Sequence, residues 1–352
     1  SPQELRIKEL WAKNRVYENI RGMIGQKAGG QTCFLDIHEK YHGPHGLIAG
    51  ATGSGKSEML HTWILSLAVQ YSPEDLGFFI IDFKGGGLGK LFDDLPHTMG
   101  QISNLSGNQI KRAMISLKSE SRRRQRIFGK YEIANINEYT RLYKNGEVKE
   151  ALPHLLIIID EFAELKREEP EFMKELISIA QIGRSQGMHL LLSTQRPGGT
   201  VDDNIWSNAK FRICLRVENK KDSIEMLHKA DAAFLTHIGQ GYLQVGNDEV
   251  YEHFLSAYSR AIYHEETKEQ VDIARMLQLN GKVEFTGKTL RKDYKKQEKK
   301  KECSQLEAVK EYLKKVAQEN GYTKRKQLYL PVLGKEIYLE ECQGKEDTGG
   351  IC

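Results

Sequence analysis

The residues Gly50-Ala51-Thr52-Gly53-Ser54-Gly55-Lys56-Ser57 constrain this chain more than any other stretch. They spell G-x-x-x-x-G-K-S, which is a phosphate-binding loop when a strand precedes it and a helix follows. Leu47-Ile48-Ala49 supplies a short apolar run that suits a buried strand. Met59, Leu60, Trp63, Ile64, Leu67 and Ala68 then recur at helical spacing. Glycines at 50, 53 and 55 let the backbone turn tightly and approach phosphate oxygens. The loop N–H groups and the helix N-terminus together make an anion nest. Lys56 is placed to reach β- and γ-phosphates as a point charge, and Ser57 to put its hydroxyl on Mg²⁺.

A second signal follows about a hundred residues later, where Leu155-Leu156-Ile157-Ile158-Ile159-Asp160-Glu161 reads as a buried strand ending in two acids. Asp160 is predicted to hold Mg²⁺, directly or through water, and Glu161 to polarise an attacking water as general base. His189 to Pro197 is another buried strand, and it ends in polar residues. Gln195 is the candidate sensor of the γ-phosphate, since its amide both donates and accepts. Arg184 or Arg196 is a candidate finger reaching a neighbouring subunit's nucleotide; structural salt bridges are the alternative for each. Phe78 to Asp82 is a third such strand, leading into a glycine loop. There Asp82 and Lys84 either approach the nucleotide or a subunit neighbour, or belong to a flexible connection.

Two weaker clusters complete the candidates. His42 and His45 could ligate a metal, but with no third ligand in view they read as loop polar groups near the nucleotide edge. Arg122, Arg123, Arg124 and Arg126 crowd the end of a helix predicted from Asn108 to Phe128. They read as a solvated helix end that complements the dipole, or as a phosphate or partner contact.

Composition bounds the rest. With 39% hydrophobic and 28% charged residues over 352 positions, the chain has the balance of a globular protein. A net charge of +4 does not demand a nucleic-acid partner. The five cysteines include no C-x-x-C pair, so no zinc or redox motif is predicted. The apolar runs are too short to span a bilayer, and the N-terminus lacks signal-peptide character. The chain as given is therefore expected to face the cytosol, with any membrane segment in a longer parent.

The elements predict an α/β fold with a mostly parallel, doubly wound sheet and helices on both faces. Residues 1–30 are expected to be a helical lead-in ending in a glycine-rich turn, and 31–265 the main domain. Residues 241–255 are expected to form a hairpin within it. Residues 266–303 read as a basic linker, and 304–352 as an amphipathic helix followed by an extended apolar connector around 328–333 that docks on this domain or a following one.

Several stretches together carry a family resemblance. Asp82-Phe83-Lys84-Gly85-Gly86-Gly87, Asp160-Glu161-Phe162-Ala163-Glu164-Leu165 and Ser193-Thr194-Gln195-Arg196-Pro197 are similar to the FtsK/SpoIIIE branch of P-loop ATPases. His42 to Gly46, Asp94 to His97, Phe172 to Leu176, Val201 to Ser207 and Gly241 to Gly246 resemble, more finely, the EssC/EccC-type ATPases of type VII secretion. The resemblance implies a RecA-like P-loop NTPase that binds and hydrolyses ATP with Mg²⁺. It implies several such modules in series on the cytoplasmic face of the membrane, anchored through parts outside this chain, and a homo-hexameric assembly. It further implies export of small helical-hairpin proteins of the WXG class. This chain resembles the first module, with a tail like the connector to the next. Two other readings stay open: a translocase of double-stranded DNA, disfavoured because no DNA-reading domain follows, and a nucleotide-gated scaffold that binds ATP and recruits a partner without turnover, suggested by the docking tail at 304–340.

Overall fold

The apolar runs become strands buried on both faces, because successive side chains point to opposite sides of a sheet that helices cover twice. In the computed structural model the chain is described at residues 1–263, 275–277, 283–285, 303–322 and 327–329, apart from 84, 86, 104–106, 200 and 202. The strands of the main sheet are β1 (Arg21–Gln26), β2 (Thr32–Asp36), β3 (Gly46–Ala49), β4 (Leu76–Asp82) and β5 (Thr98–Ile102), followed by β6 (His154–Asp160), β7 (Met188–Thr194), β8 (Phe211–Leu215), β9 (Gln240–Val245) and β10 (Val250–Ser256). Their order across the sheet is β2-β1-β10-β9-β8-β3-β7-β6-β4-β5. Neighbours from β8 to β5 run parallel. Neighbours from β8 out to β2 run antiparallel, and β9 and β10 are the expected hairpin.

The helices are α1 (Ile7–Lys13), α2 (Lys56–Gln70), α3 (Leu88–Phe92), α4 (Gly107–Tyr131), α5 (Ile136–Lys144), α6 (Phe162–Glu168), α7 (Pro170–Gln186), α8 (Asp203–Asn208), α9 (Lys220–Leu227) and α10 (Gln305–Glu319). One face of the sheet, with Ile48, Phe78, Ile80, Leu156, Ile158 and Ile213, packs against Trp11, Trp63, Leu67 and Leu313 from α1, α2 and α10. The opposite face, with Leu47, Phe79, Ile81, Ile157 and Ile159, packs against Leu117, Phe162, Leu176 and Met226 from α4, α6, α7 and α9. The odd-even split of consecutive residues between these clusters is the doubly wound arrangement the sequence predicts.

Three readings of the chain change. The lead-in is helical only through Lys13; residues 21–26, which include the start of the turn expected at Gly25 to Gly30, form β1, paired with β2 and β10 inside the sheet, and Ala28–Gly30 keep the turn. The glycines of β1 hide it. A Cβ at Gly22 would lie 2.9 Å from the Trp63 ring, and one at Gly25 would lie 2.0 Å from the Leu255 carbonyl oxygen. Close packing, not a turn, therefore selects glycine there. Within the expected linker, Arg275–Leu277 and Val283–Phe285 pair as an antiparallel ladder; the lysine-rich residues 288–301 lie outside the described residues. The amphipathic helix α10 packs on the same core as α2, so it belongs to this body. Beyond it, Leu328 N–H donates to Met99 O at 2.7 Å and Tyr329 lies under the Arg112 guanidinium. The connector thus begins on β5, and residues 330–333 lie outside the described residues.

Candidate nucleotide site

Parallel strands all end on one edge, so the loops that follow β3, β6 and β7 meet there, as ligand-binding loops do in open α/β sheets. The phosphate loop follows β3 and feeds α2. Gly55 has φ +96°, a left-handed backbone open to glycine. At Gly50 a Cβ would lie 2.5 Å from Ser54 Oγ, so the loop closes only around a bare Cα. Ala51 N–H donates to Arg216 O at 2.9 Å and Ser54 N–H to Ala51 O at 3.0 Å, which curls residues 51–55 over the start of α2. Lys56 opens that helix, and its N–H and that of Ser57 belong to the first turn, which has no intrahelical acceptor. Thr52, Gly53 and Ser57 are exposed at the loop surface.

Lys56 and Asp160, 104 positions apart, are brought into contact. Lys56 Nζ donates to Asp160 Oδ1 and to Ser193 Oγ, each at 2.6 Å. Ser193 Oγ in turn donates to Asp160 Oδ1 at 3.0 Å. At this buried ion pair a phosphate oxygen would compete with Asp160 for the ammonium. Thr52 Oγ1 donates to Gln195 Oε1 at 2.9 Å, so Gln195 stands across the phosphate loop. Glu161 has φ +63° and ψ +57°, an unusual left-handed conformation for a side chain of its size. Its carboxylate accepts from Thr194 Oγ1 at 2.8 Å and from the Gln195 N–H at 3.2 Å. Ser193 and Thr194 belong to the family-like stretch 193–197, but the sequence assigns neither a site role; two polar residues ending a leucine run are the available signal.

The other candidates lie elsewhere. Arg184 ends α7, the helix that returns to the amino end of β7, and its Nε donates to Glu39 at 2.7 Å. It is on the opposite edge of the sheet from Lys56. Arg196 follows β7 on the nucleotide edge and its N–H donates to Thr194 Oγ1 at 3.2 Å. Asp82 is buried and accepts from the Leu88 N–H at 3.1 Å, tying the start of α3 across the glycine loop rather than facing a ligand. Lys84 lies outside the described residues.

His45 stands before β3, at the edge away from the phosphate loop, which corrects its expected place. The Leu190 N–H donates to its Nδ1 at 3.0 Å, so its Nε2–H donates to Ala180 O at 2.8 Å. Both nitrogens are used, and burial lowers its pKa to about 4. The Nδ1 of His42 accepts from the Asp36 N–H.

Two of the four clustered arginines, Arg123 and Arg124, are structural as well, while Arg122 and Arg126 are exposed. Arg124 is fully buried, with Nε on Glu120 at 2.8 Å, Nη1 on Gln186 O at 2.7 Å and Nη2 on Pro153 O at 2.8 Å. Arg123 also pairs with Glu120. Burial would raise the Glu120 pKa, but the two guanidiniums hold it below the usual carboxylate range.

A glycine loop at a helix N-terminus, with lysine on an acidic strand end, defines the class: a P-loop ATPase domain. Residues 12–199, more than half of the chain, match the FtsK/SpoIIIE family model, and the chain belongs to that family. It is 45% identical over 341 residues to the type VII secretion system protein EssC of Staphylococcus aureus (strain Mu50 / ATCC 700699), covering 96% of this chain and 23% of that protein. It is likewise 45% identical to the ESX secretion system protein YukB of Bacillus subtilis (strain 168), covering 95% of this chain and 22% of that protein. The chain thus spans less than a quarter of these relatives' length. Among solved structures, the cytoplasmic domain of the Thermomonospora curvata type VII secretion ATPase EccC superposes with a TM-score of 0.76 at 30% identity, covering 95% of this chain and 35% of that one. Among the described residues, no helix is long and apolar enough to cross a membrane.

Proposed function

We propose that this chain is a Mg²⁺-dependent ATP-hydrolysing module of a type VII secretion motor. The observation that carries the proposal is the 2.6 Å contact between Lys56 and Asp160, which joins the phosphate loop to the acidic strand end. Gly50, Ala51, Thr52, Gly53, Ser54 and Gly55 would wrap the triphosphate with backbone N–H groups, and Lys56 would move from Asp160 onto the β/γ oxygens. The donor set suits magnesium: Ser57 hydroxyl and Asp160 carboxylate are hard oxygens, and such ions take one or two protein ligands plus phosphate. Bound there, the ion supplies charge neutralisation on the β/γ oxygens. Glu161 then accepts a proton from the attacking water, and Gln195 orients the γ-phosphate or that water. An arginine from an adjacent subunit, Arg184 or Arg196, would complete the site in a hexamer, so the isolated monomer turns over slowly.

The secretion role rests on the similarity to EssC, YukB and EccC. On this reading the module works beside further ATPase modules of the same protein on the cytoplasmic face of the membrane, and the exported substrates are WXG-class helical proteins. The DNA-translocase reading, which rests on the FtsK-like core and the arginines at 122–126, is weakened in part, since Arg123 and Arg124 are engaged with Glu120 rather than presented to a backbone. Phosphate release is the test, under conditions that oligomerise the chain. Glu161→Gln lowers turnover roughly 100-fold or more, and duplex DNA at low salt leaves the wild-type rate unchanged. An equal rate in the variant removes Glu161 as base; DNA stimulation restores the translocase reading.

A further inference from the structure

A triphosphate whose γ end meets Asp160 and Ser193 on one side of β3 would direct its nucleoside to the other side. Asp160 ends β6, Ser193 lies in β7 and Gln195 follows it, all on one side of β3. The triphosphate enters a loop whose lysine points to that side. Its nucleoside therefore leaves toward the other side, over the ends of β8, β9 and β10.

Two segments line that side. Gly239 N–H donates to Ser54 O at 2.9 Å, and the preceding Ile238 side chain would lie 3.4 Å from a Cβ at Gly55. The chain after β10 is tied to the same place: Ser256 N–H donates to Gly239 O at 2.7 Å, Thr62 Oγ1 to Ala257 O at 3.2 Å, and Arg260 to Glu58 at 3.2 Å. Residues 256–260 thus run along the first turns of α2. Each segment carries a large exposed apolar group: Ile238, next to Gly55, is 68% exposed, and Tyr258, in the segment along the first turns of α2, is 59% exposed. An aromatic ring and a branched aliphatic beside a polyphosphate site match the needs of a heteroaromatic base, which gains from apolar contact and stacking on its faces.

We propose that Ile238 and Tyr258 form the base-binding wall of the nucleotide site, taking the adenine ring of ATP by apolar contact on the side of the phosphate loop away from Asp160. The inference rests on the ATP-binding reading given above and adds the residues that hold the base. Neither residue belongs to the phosphate loop or the acidic strand, so phosphate contacts persist without them. Ser54 and Gly239 are joined through backbone groups, so side-chain substitution at 238 leaves that tie in place.

The test measures binding of ATP and of inorganic tripolyphosphate, each with Mg²⁺, to the purified full chain by calorimetry. Wild type binds ATP more tightly than tripolyphosphate. Ile238→Ser and Tyr258→Ser each weaken ATP about tenfold and leave tripolyphosphate unchanged, and the double variant binds the two ligands alike. Unchanged ATP affinity in both variants overturns the proposal, as does an altered oligomeric state with unchanged ATP affinity, which would assign the patch to a second copy. Equal loss of ATP and tripolyphosphate also overturns it, because the substitution would then act on the loop. If wild type binds neither ligand, the nucleotide reading itself fails, and this proposal with it.

Discussion

Glu161 shows how a single residue is prepared. A carboxylate following a buried strand could swing freely, yet its left-handed backbone and two donors at the end of β7, the Thr194 hydroxyl and the Gln195 N–H, hold it in one place. Backbone strain of this kind persists only where surrounding contacts over-determine it. Thr194 supplies one of those contacts and is a positioning residue. Thr194→Val therefore lowers kcat about tenfold while ATP affinity stays at the wild-type value; steady-state phosphate release with a parallel binding titration separates the two. A lower affinity with unchanged kcat would show that Thr194 supports the loop instead. Lys56, Asp160 and Glu161 were legible in the sequence because their motifs have fixed spacing. Ser193 and Thr194 were not, because their partners come from β6 and α2, which only the folded sheet brings alongside.

At the scale of elements, α4 is fastened at its carboxyl end by Arg124, which joins three segments through Glu120, the Gln186 carbonyl and the Pro153 carbonyl. Removing it leaves a buried carboxylate short of a partner and two buried carbonyls unpaired. Arg124→Ala should cost about 3 kcal/mol of unfolding free energy, read from denaturant midpoints. Glu120→Leu with Arg124→Leu should cost less than the single change, since an apolar pair leaves no stranded charge. A single variant as stable as wild type would mean the cluster is solvated after all. From sequence the cluster read as a dipole-complementing end or a ligand contact, because burial of a guanidinium depends on α7 and β6 crossing over it. The strands β1 and β5 were obscured for a related reason. Gly22, Gly25 and Gly100 weaken the strand pattern, yet each is required by a neighbour: the Trp63 ring, the Leu255 carbonyl and the Phe79 ring.

The whole molecule divides the sheet into two edges of different character. The carboxyl edge gathers Lys56, Asp160, Glu161 and Gln195. The amino edge buries histidines. His154 Nδ1 and His189 Nε2 are 2.9 Å apart and His189 Nδ1 is 3.2 Å from Pro44 O, so a neutral chain runs from His154 through His189 to that carbonyl. Burial lowers the pKa of His45 to about 4, that of His189 to about 3 and that of His154 well below the ordinary value. The neighbouring histidines and Arg124 add to the shifts of His154 and His189. These groups stay neutral when folded and bind protons when unfolded, so their stabilisation is complete above about pH 6.5 and declines as pH falls toward the folded values. Unfolding free energy should fall by about 2 kcal/mol for each of the three between pH 7.5 and pH 5, seen as a lower urea midpoint. A midpoint independent of pH over that interval would mean the histidines are charged or solvated in the native state.

The sequence by itself determined the local chemistry: a glycine loop with its lysine, acids at the end of an apolar run, and the alternation of strand and helix. These are written in spacing, since neighbouring residues share a loop or a face whatever the rest of the chain does. Tertiary structure alone decided which distant residues meet. It set Lys56 on Asp160, Thr194 on Glu161 and Arg124 on two carbonyls, and it put His45 at the edge opposite the one expected. It also placed Ile238 beside the phosphate loop and the segment of Tyr258 along the first turns of α2, where no motif marks them. Strand order is the physical reason, because a parallel sheet brings to one edge residues that the chain separates by a hundred positions or more, and no local pattern encodes that order.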